Sequence, residues 1–198
     1  MKNNTPLNIV LLGAPGSGKG TQAQLIKEKY RLDHVSTGDM FRREIASKSA
    51  IGLHAKEIID RGGLCPDSLT LDMLNSYLIK FHAAKGYILD GVPRTIEQAK
   101  MMDGIDYAPP VPVTLVIYIY VEEEEMTKRI LKRAELLGRS DDTPEVIKTR
   151  ISNYYRQTKP LKNYYEKQHK LYEVNGMNSV EEVFKNICII IDNCLKNK

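Results

Sequence analysis

Ile9-Val10-Leu11-Leu12-Gly13-Ala14-Pro15-Gly16-Ser17-Gly18-Lys19-Gly20-Thr21 decides the reading of this chain. The apolar run predicts a buried strand, a glycine-rich turn follows it, and residues 21–30 have the pattern of an amphipathic helix. Such a turn aims several backbone N–H groups at one small volume. Its glycines let the backbone approach closely, and the helix N-terminus adds partial positive charge. The product is a cradle for a polyphosphate, formed by Gly16, Ser17, Gly18, Lys19, Gly20 and Thr21, with the Lys19 ammonium reaching the outer phosphates. The common phosphate-loop pattern has Ser or Thr directly after the lysine. Here Gly20 stands there, and the hydroxyl comes one residue later, at Thr21.

Outward from this loop, apolar runs alternate with helical patterns, which predicts an α/β protein with a parallel sheet. Strands are expected at residues 7–12, 87–90 and 114–121, with weaker signals at 34–36 and 171–174. Five strands separated by helices predict a doubly wound sheet, whose ligands bind outside the carboxyl ends of the strands. The phosphate loop, Ser36-Thr37-Gly38-Asp39 and Asp90 all fall at such ends. The whole chain, 1–198, is expected to be one domain with two insertions. A helical lobe spans 36–65, with helices over 40–46 and 53–61 and a stop at Gly62-Gly63. A short lid spans 134–143, around Leu136-Leu137-Gly138-Arg139-Ser140-Asp141-Asp142. Asp142 or Thr143 caps the helix that follows, and Pro144 suits its first turn.

The chain has 198 residues, 42% apolar and 27% charged, with a formal charge of +4. That is the composition of an ordinary globular protein. No stretch approaches the roughly 18 apolar residues of a membrane span. The polar start, Met1 to Pro6, is not that of a secretory signal and leaves little room for a leader. Three cysteines, Cys65, Cys188 and Cys194, without a Cys-x-x-Cys pair indicate neither a disulfide framework nor a zinc site, so a reducing cytoplasm is expected. The mild, dispersed positive charge argues against nucleic acid as a partner. The four histidines show no metal-ligand spacing. Glu122-Glu123-Glu124-Glu125 is expected to open a helix, where carboxylates offset the dipole. Tyr154, Tyr155, Tyr164 and Tyr165 are expected to pack helices, each with a polar tip.

Three further motifs carry chemistry. Asp90-Gly91-Val92-Pro93-Arg94-Thr95 turns sharply at a strand end and delivers Arg94, whose planar fork suits phosphate. Ser36-Thr37-Gly38-Asp39-Met40-Phe41-Arg42 runs from strand through turn to helix. Arg129, Arg133, Arg139 and Arg150 form the last group; Arg129 and Arg133, four apart, share one helix face. Asp90, an acid at a strand end, reads as organising the water shell of Mg²⁺, with Thr21 nearby, or else as stabilising its turn.

With these motifs in this order, the chain resembles the adenylate kinases, nucleoside monophosphate kinases of the short-lid type, over essentially its whole length. The resemblance implies a five-stranded parallel sheet with a monophosphate-binding lobe and a lid. It implies Mg²⁺-dependent, reversible transfer, ATP + AMP giving two ADP, by a monomer that keeps adenine nucleotides in balance. Carried over by motif, residues 16–21 cradle ATP, with Lys19 on the transferred group. Thr37 and Arg42 hold AMP, and Gly63, Leu64 and Cys65 line its base. Gly91 and Arg94 hold its phosphate, while Gln98 meets the adenine edge. Arg129 and Arg133 meet ATP, Arg139 and Arg150 clamp phosphates, and the backbone near Asn178 touches the ATP base. The family usually has an aromatic residue where this chain has Val92. UMP/CMP kinases usually carry a smaller residue than Thr37 and often Asn in place of Thr95, so both positions favour AMP. A GTP-using relative and a nucleotide-binding regulatory module without catalysis are the alternatives.

Overall fold

The computed structural model describes residues 6–81, 85–104, 112–137 and 143–196. Its strands are β1 Ile9–Leu12, β2 Asp33–Ser36, β3 Tyr87–Asp90, β4 Leu115–Tyr120 and β5 Leu171–Asn175. They form one parallel sheet in the order β2-β3-β1-β4-β5. After β1 the chain builds β2 and β3 on one side, then crosses to build β4 and β5 on the other. The switch therefore falls at the carboxyl end of β1, where the crossover connections diverge and leave a crevice.

Alternation along the buried strands explains why both faces are covered. Val10 and Leu12 of β1, Tyr87 and Leu89 of β3, and Val116 and Tyr118 of β4 belong to one core. Ile9 and Leu11, Ile88, and Leu115, Ile117 and Ile119 belong to the other. Successive side chains point to opposite faces, so near-continuous apolar strands demand helices on both sides. Helices α4 (Asp67–Lys80), α5 (Ile96–Asp103) and α8 (Leu161–Glu166) supply Leu74, Leu78, Ala99, Met102, Leu161 and Tyr165 to the first core. Helices α1 (Lys19–Tyr30) and α9 (Val180–Lys196) supply Ala23, Ile26, Val183, Ile187 and Ile191 to the second. Each fully buried aliphatic side chain contributes about 1.5–3 kcal/mol.

The expected strands are all present, with ends shifted by up to two residues. The phosphate-loop helix begins at Lys19 rather than Thr21, because the loop's last turn is already helical. Its buried face is narrow, Gln22, Ala23 and Ile26, and so less amphipathic than the sequence pattern suggested. Within 36–65 lie α2 (Thr37–Ala46) and α3 (Ala50–Ile59). Ser36 caps α2 by accepting the Asp39 N–H, and Ser49 caps α3 by accepting the Gly52 N–H. These helices have a small core of their own, Phe41, Ala55 and Cys65, with Ile59, Leu69 and Met73 against it.

Helix α6 (Glu123–Leu137) continues three residues past Ala134, its expected end, and α7 (Pro144–Asn153) follows. Thr143 is the α7 cap, accepting the Val146 N–H. Gly138, Arg139, Ser140, Asp141 and Asp142 lie outside the described residues. After α7 comes a π-helical turn, Tyr154–Thr158. The tyrosine pairs do pack between elements, and three hydroxyls find partners: Tyr154 with Tyr118 at 2.7 Å, Tyr155 on Glu123 and Tyr164 on Asp103. Tyr165 packs in the core as well. Its hydroxyl is buried and meets no hydrogen-bond partner among the described residues.

Candidate active site

Register brings the chemistry to one rim. Leu11 of β1 lies opposite Asp90 of β3, and Asp90 lies opposite Ser36 of β2. The segments leaving these strand ends are the phosphate loop, the start of α2 and the Gly91–Arg94 turn. They border a cleft of about 960 Å³. The expected residues Gly16 to Thr21, Thr37, Arg42, Gly63, Leu64, Cys65, Asp90, Gly91, Arg94, Gln98, Arg129, Arg133, Arg150 and Asn178 all line it. Arg139 lies outside the described residues.

The phosphate loop has little freedom to vary. Gly16 has φ +79°, and a Cβ there would stand 2.7 Å from the Met126 carbonyl oxygen. Only glycine combines that backbone with that approach. Lys19 Nζ donates to the carbonyl oxygens of Gly13 and Ala14, each at 2.9 Å. The ammonium thus closes the loop from inside. Burial lowers its pKa to about 8; Asp90 opposes the shift, and Arg94, Arg133 and Arg150 reinforce it. Those four cations act on one point, which is what a site for a multiply charged anion requires.

Asp90 ends β3 beside the loop. A Cβ on Gly20 would lie 3.8 Å from Asp90 Oδ2. Burial alone would raise the Asp90 carboxyl. His34 and the Lys19 and Arg94 charges outweigh it, so the group lies below its ordinary range and is anionic. His34 Nε2 stands 3.6 Å from Asp90 Oδ2. A carboxylate oxygen beside the phosphate loop at Gly20 suits a hard cation that keeps most of its waters. Among the described residues there is no group of three or more His, Cys, Asp or Glu able to hold a metal. The Asp90 carboxylate at the edge of the phosphate loop is compatible with a magnesium ion carried by substrate phosphates.

The Gly91–Arg94 turn is held from three sides. Thr37 Oγ1 donates to the Gly91 carbonyl oxygen at 2.9 Å, and Arg94 Nε donates to the same oxygen at 3.0 Å. Thr158 Oγ1 donates to the Arg94 carbonyl oxygen at 2.9 Å. Arg42 pairs with Asp39 at 2.5 Å. Val92 is buried in the core beneath the turn. Burial pushes the Cys65 thiol up, against the opposing charge of Arg94. At the other end of the cleft, Arg129 Nε meets Glu125 at 2.7 Å and Nη1 donates to the Gly176 carbonyl oxygen at 2.9 Å. Glu125, expected only to serve the helix start, also fixes an arginine of the site.

Four contributors were not legible from the motifs. His34 was set aside for lacking metal spacing, although it sits two residues before Ser36 on the strand next to Asp90. Asn153, the last residue of α7, and Thr158, in the turn after it, reach the site only through the fold. Asp67 stands behind Gln98, 31 positions earlier in the chain, and nothing in the sequence joins the two.

Comparison with known proteins agrees with this geometry. The family model described as adenylate kinase matches residues 11–170. The chain is 47% identical over 190 residues to an adenylate kinase of Azobacteroides pseudotrichonymphae, covering 96% of this chain and all of that one. It is 46% identical to an adenylate kinase of Parabacteroides distasonis and 44% identical to one of Bacteroides fragilis, each over 94% of this chain and 98% of the relative. With its loop, rim and arginines arranged in this way, the chain belongs to the adenylate kinase family.

Proposed function

We propose that the protein transfers the terminal phosphoryl group of ATP to AMP, reversibly, giving two ADP and keeping adenine nucleotides in balance. One observation carries the reading. Lys19, Asp90, Arg94, Arg133 and Arg150 meet in a single cleft that continues to Thr37, Cys65 and Gln98. That is room for two nucleotides end to end, with the cations where their phosphates meet.

Phosphoryl transfer needs positioning and charge stabilisation more than covalent help. Residues 16–21 hold the ATP phosphates through backbone N–H groups, and Lys19 moves from its loop carbonyls to the transferred group. Arg129 and Arg133 take the ATP side, and the backbone at Asn178 meets its base. On the other side Arg94 and Gly91 hold the AMP phosphate, Thr37 and Arg42 its approach, Gly63, Leu64 and Cys65 the base plane, and Gln98 the base edge. Arg150 lies between the two, and Arg139 joins it when the lid closes. Magnesium carried by ATP neutralises phosphate charge, and Asp90 and Thr21 order its waters. The apolar cluster of Phe41, Ala55 and Cys65 supports reading 36–65 as a lobe, joined to α4 through Leu69 and Met73; 134–143 is read as the lid.

The working form is read as a monomer, without nucleic acid or membrane as partner. No helix among the described residues is long and apolar enough to cross a membrane. The three cysteines are free thiols, which supports a reducing cytoplasm.

The test is a matrix of nucleoside mono- and triphosphates with the purified protein, reading diphosphate formation with Mg²⁺ and with excess chelator. Fast, chelator-sensitive ADP formation from ATP and AMP is expected. An AMP rate no higher than those with UMP or CMP would overturn the acceptor. Nucleotide binding without turnover would make the protein a regulatory module.

A further inference from the structure

Gln98 is 1% exposed, yet it lines the cleft, and its side chain is held at both ends. Its Oε1 accepts the Arg94 backbone N–H at 2.7 Å. Its Nε2 donates to Asp67 Oδ1 at 2.8 Å. A backbone N–H only donates and a carboxylate only accepts, so these two partners admit one orientation of the amide. The second Asp67 oxygen, Oδ2, accepts from Thr95 Oγ1 at 3.1 Å. That hydroxyl in turn accepts the Gln98 backbone N–H at 3.0 Å. Asp67 is therefore fixed at the start of α4 and does not itself line the cleft.

We propose that Asp67 sets the acceptor base by locking the Gln98 amide in this orientation. The inference rests on Gln98 meeting the base edge, as assigned above. With one lone pair of Oε1 and one N–H of Nε2 already engaged, the amide keeps one acceptor and one donor side by side. Adenine offers the complement, an acceptor at N1 beside a donor at N6. Hypoxanthine has the same outline with the pattern reversed, a donor at N1 beside an acceptor at O6. To read hypoxanthine the amide must turn over. That would set Oε1 against the Asp67 carboxylate and the NH₂ against the Arg94 N–H. A site with buried polar groups left unpaired, or paired like against like, discriminates strongly. Asp67 is thus a positioning residue that converts an ambidextrous amide into a one-sided reader.

The experiment compares kcat/KM for AMP and IMP, with ATP as donor, in wild type, Asp67→Ala, Gln98→Ala and the double variant. Asp67→Ala is expected to raise the IMP-to-AMP ratio by at least about tenfold, with KM for ATP unchanged. Asp67→Ser, which keeps a polar start to α4 but is too short to meet the amide, is expected to behave the same way. Asp67→Asn should restore selectivity only in part, because its Oδ1 can still accept from Gln98 but its own amide can turn over and fixes the orientation less firmly than a carboxylate does. Once Gln98 is alanine, Asp67→Ala should add nothing to the ratio, which is the mark of a residue acting through another. If Gln98→Ala relaxes the ratio but Asp67→Ala and Asp67→Ser leave it within twofold, Gln98 reads the base and the lock does not exist. An undiminished Asp67 effect in the Gln98→Ala background also overturns the lock. No change in the ratio for Gln98→Ala removes the reading of Gln98, and the proposal with it.

Discussion

Asn153 Nδ2 donates a 2.9 Å hydrogen bond to the Gly62 carbonyl oxygen, tying the end of α7 to the loop that leads into Gly63, Leu64 and Cys65. Gly62 is buried at φ +73°, and a Cβ there would stand 2.8 Å from the Val146 carbonyl oxygen. The helix that carries Arg150 is thus seated on the loop that borders the monophosphate side of the cleft.

Gly62→Ala is therefore expected to destabilise the free protein by roughly 1–3 kcal/mol, from the left-handed backbone and the backbone clash together. Asn153→Ala removes one hydrogen bond, about 0.5–1.5 kcal/mol, and should raise KM for AMP more than KM for ATP. Urea midpoints and the two KM values check both. A Gly62→Ala midpoint equal to wild type would show that α7 is not seated there.

Lys19→Met should separate activity from stability. ADP formation is expected to fall by on the order of 10²–10³, the usual cost of removing one such stabilising group. The free protein should become more stable at pH 7, by up to about 3 kcal/mol, less the two carbonyl contacts it loses. The pH dependence has a definite sign. Lys19 titrates near 8 in the folded protein and near 10.5 when unfolded. Below pH 8 both states hold the proton, and the folded state bears the cost of an enclosed charge. Between the two values the folded state has released the proton and the unfolded state has not, so the Lys19 contribution to stability rises with pH across that window. Denaturation of wild type and variant at pH 7 and 9.5 measures the difference. A wild-type-to-variant gap that fails to narrow at the higher pH contradicts the enclosed ammonium.

Arg139→Ala addresses the lid. The proposed closure brings Arg139 to the phosphates only in the ternary complex. A large fall in kcat is expected, with a modest change in ATP affinity measured without AMP and little change in the melting temperature of the free protein. Charge-assisted contacts contribute about 1.5–3 kcal/mol, and an arginine acting on the transition state contributes more. A mimic of ATP joined to AMP should lose more affinity than ATP alone. Equal losses for both ligands would place Arg139 in a preformed site.

The phosphate loop, the strand-end positions of Asp90 and Ser36, and the turn that presents Arg94 were legible because each is local. A strand's apolar run, a glycine where the chain must turn and a cap at a helix start all act within a few residues. The buried strands were equally legible, because side chains covered on both faces must be apolar throughout. Helix ends were less so. The start of α1 at Lys19 and the end of α6 at Leu137 depend on where the loop closes and where neighbouring elements stop supporting the helix.

The sequence by itself determined the sheet, its rim and which side chains would be delivered there, since hydrophobic period and turn chemistry are properties of short segments. Only the tertiary structure decided how those side chains are held. Asp67 fixes the Gln98 amide, Thr158 fixes the Arg94 backbone, Glu125 fixes Arg129, and His34 faces Asp90. Asp67, Thr158 and His34 act across separate elements, because β3 pairs with β2 and α4 and the turn after α7 pack beside it. Glu125 acts within one helix turn, but toward a partner whose other hydrogen bond, to Gly176, only the fold supplies. Hydrogen-bond partners 31 to 64 residues apart leave no periodic trace in a chain. They exist only once packing has brought them within 3 Å.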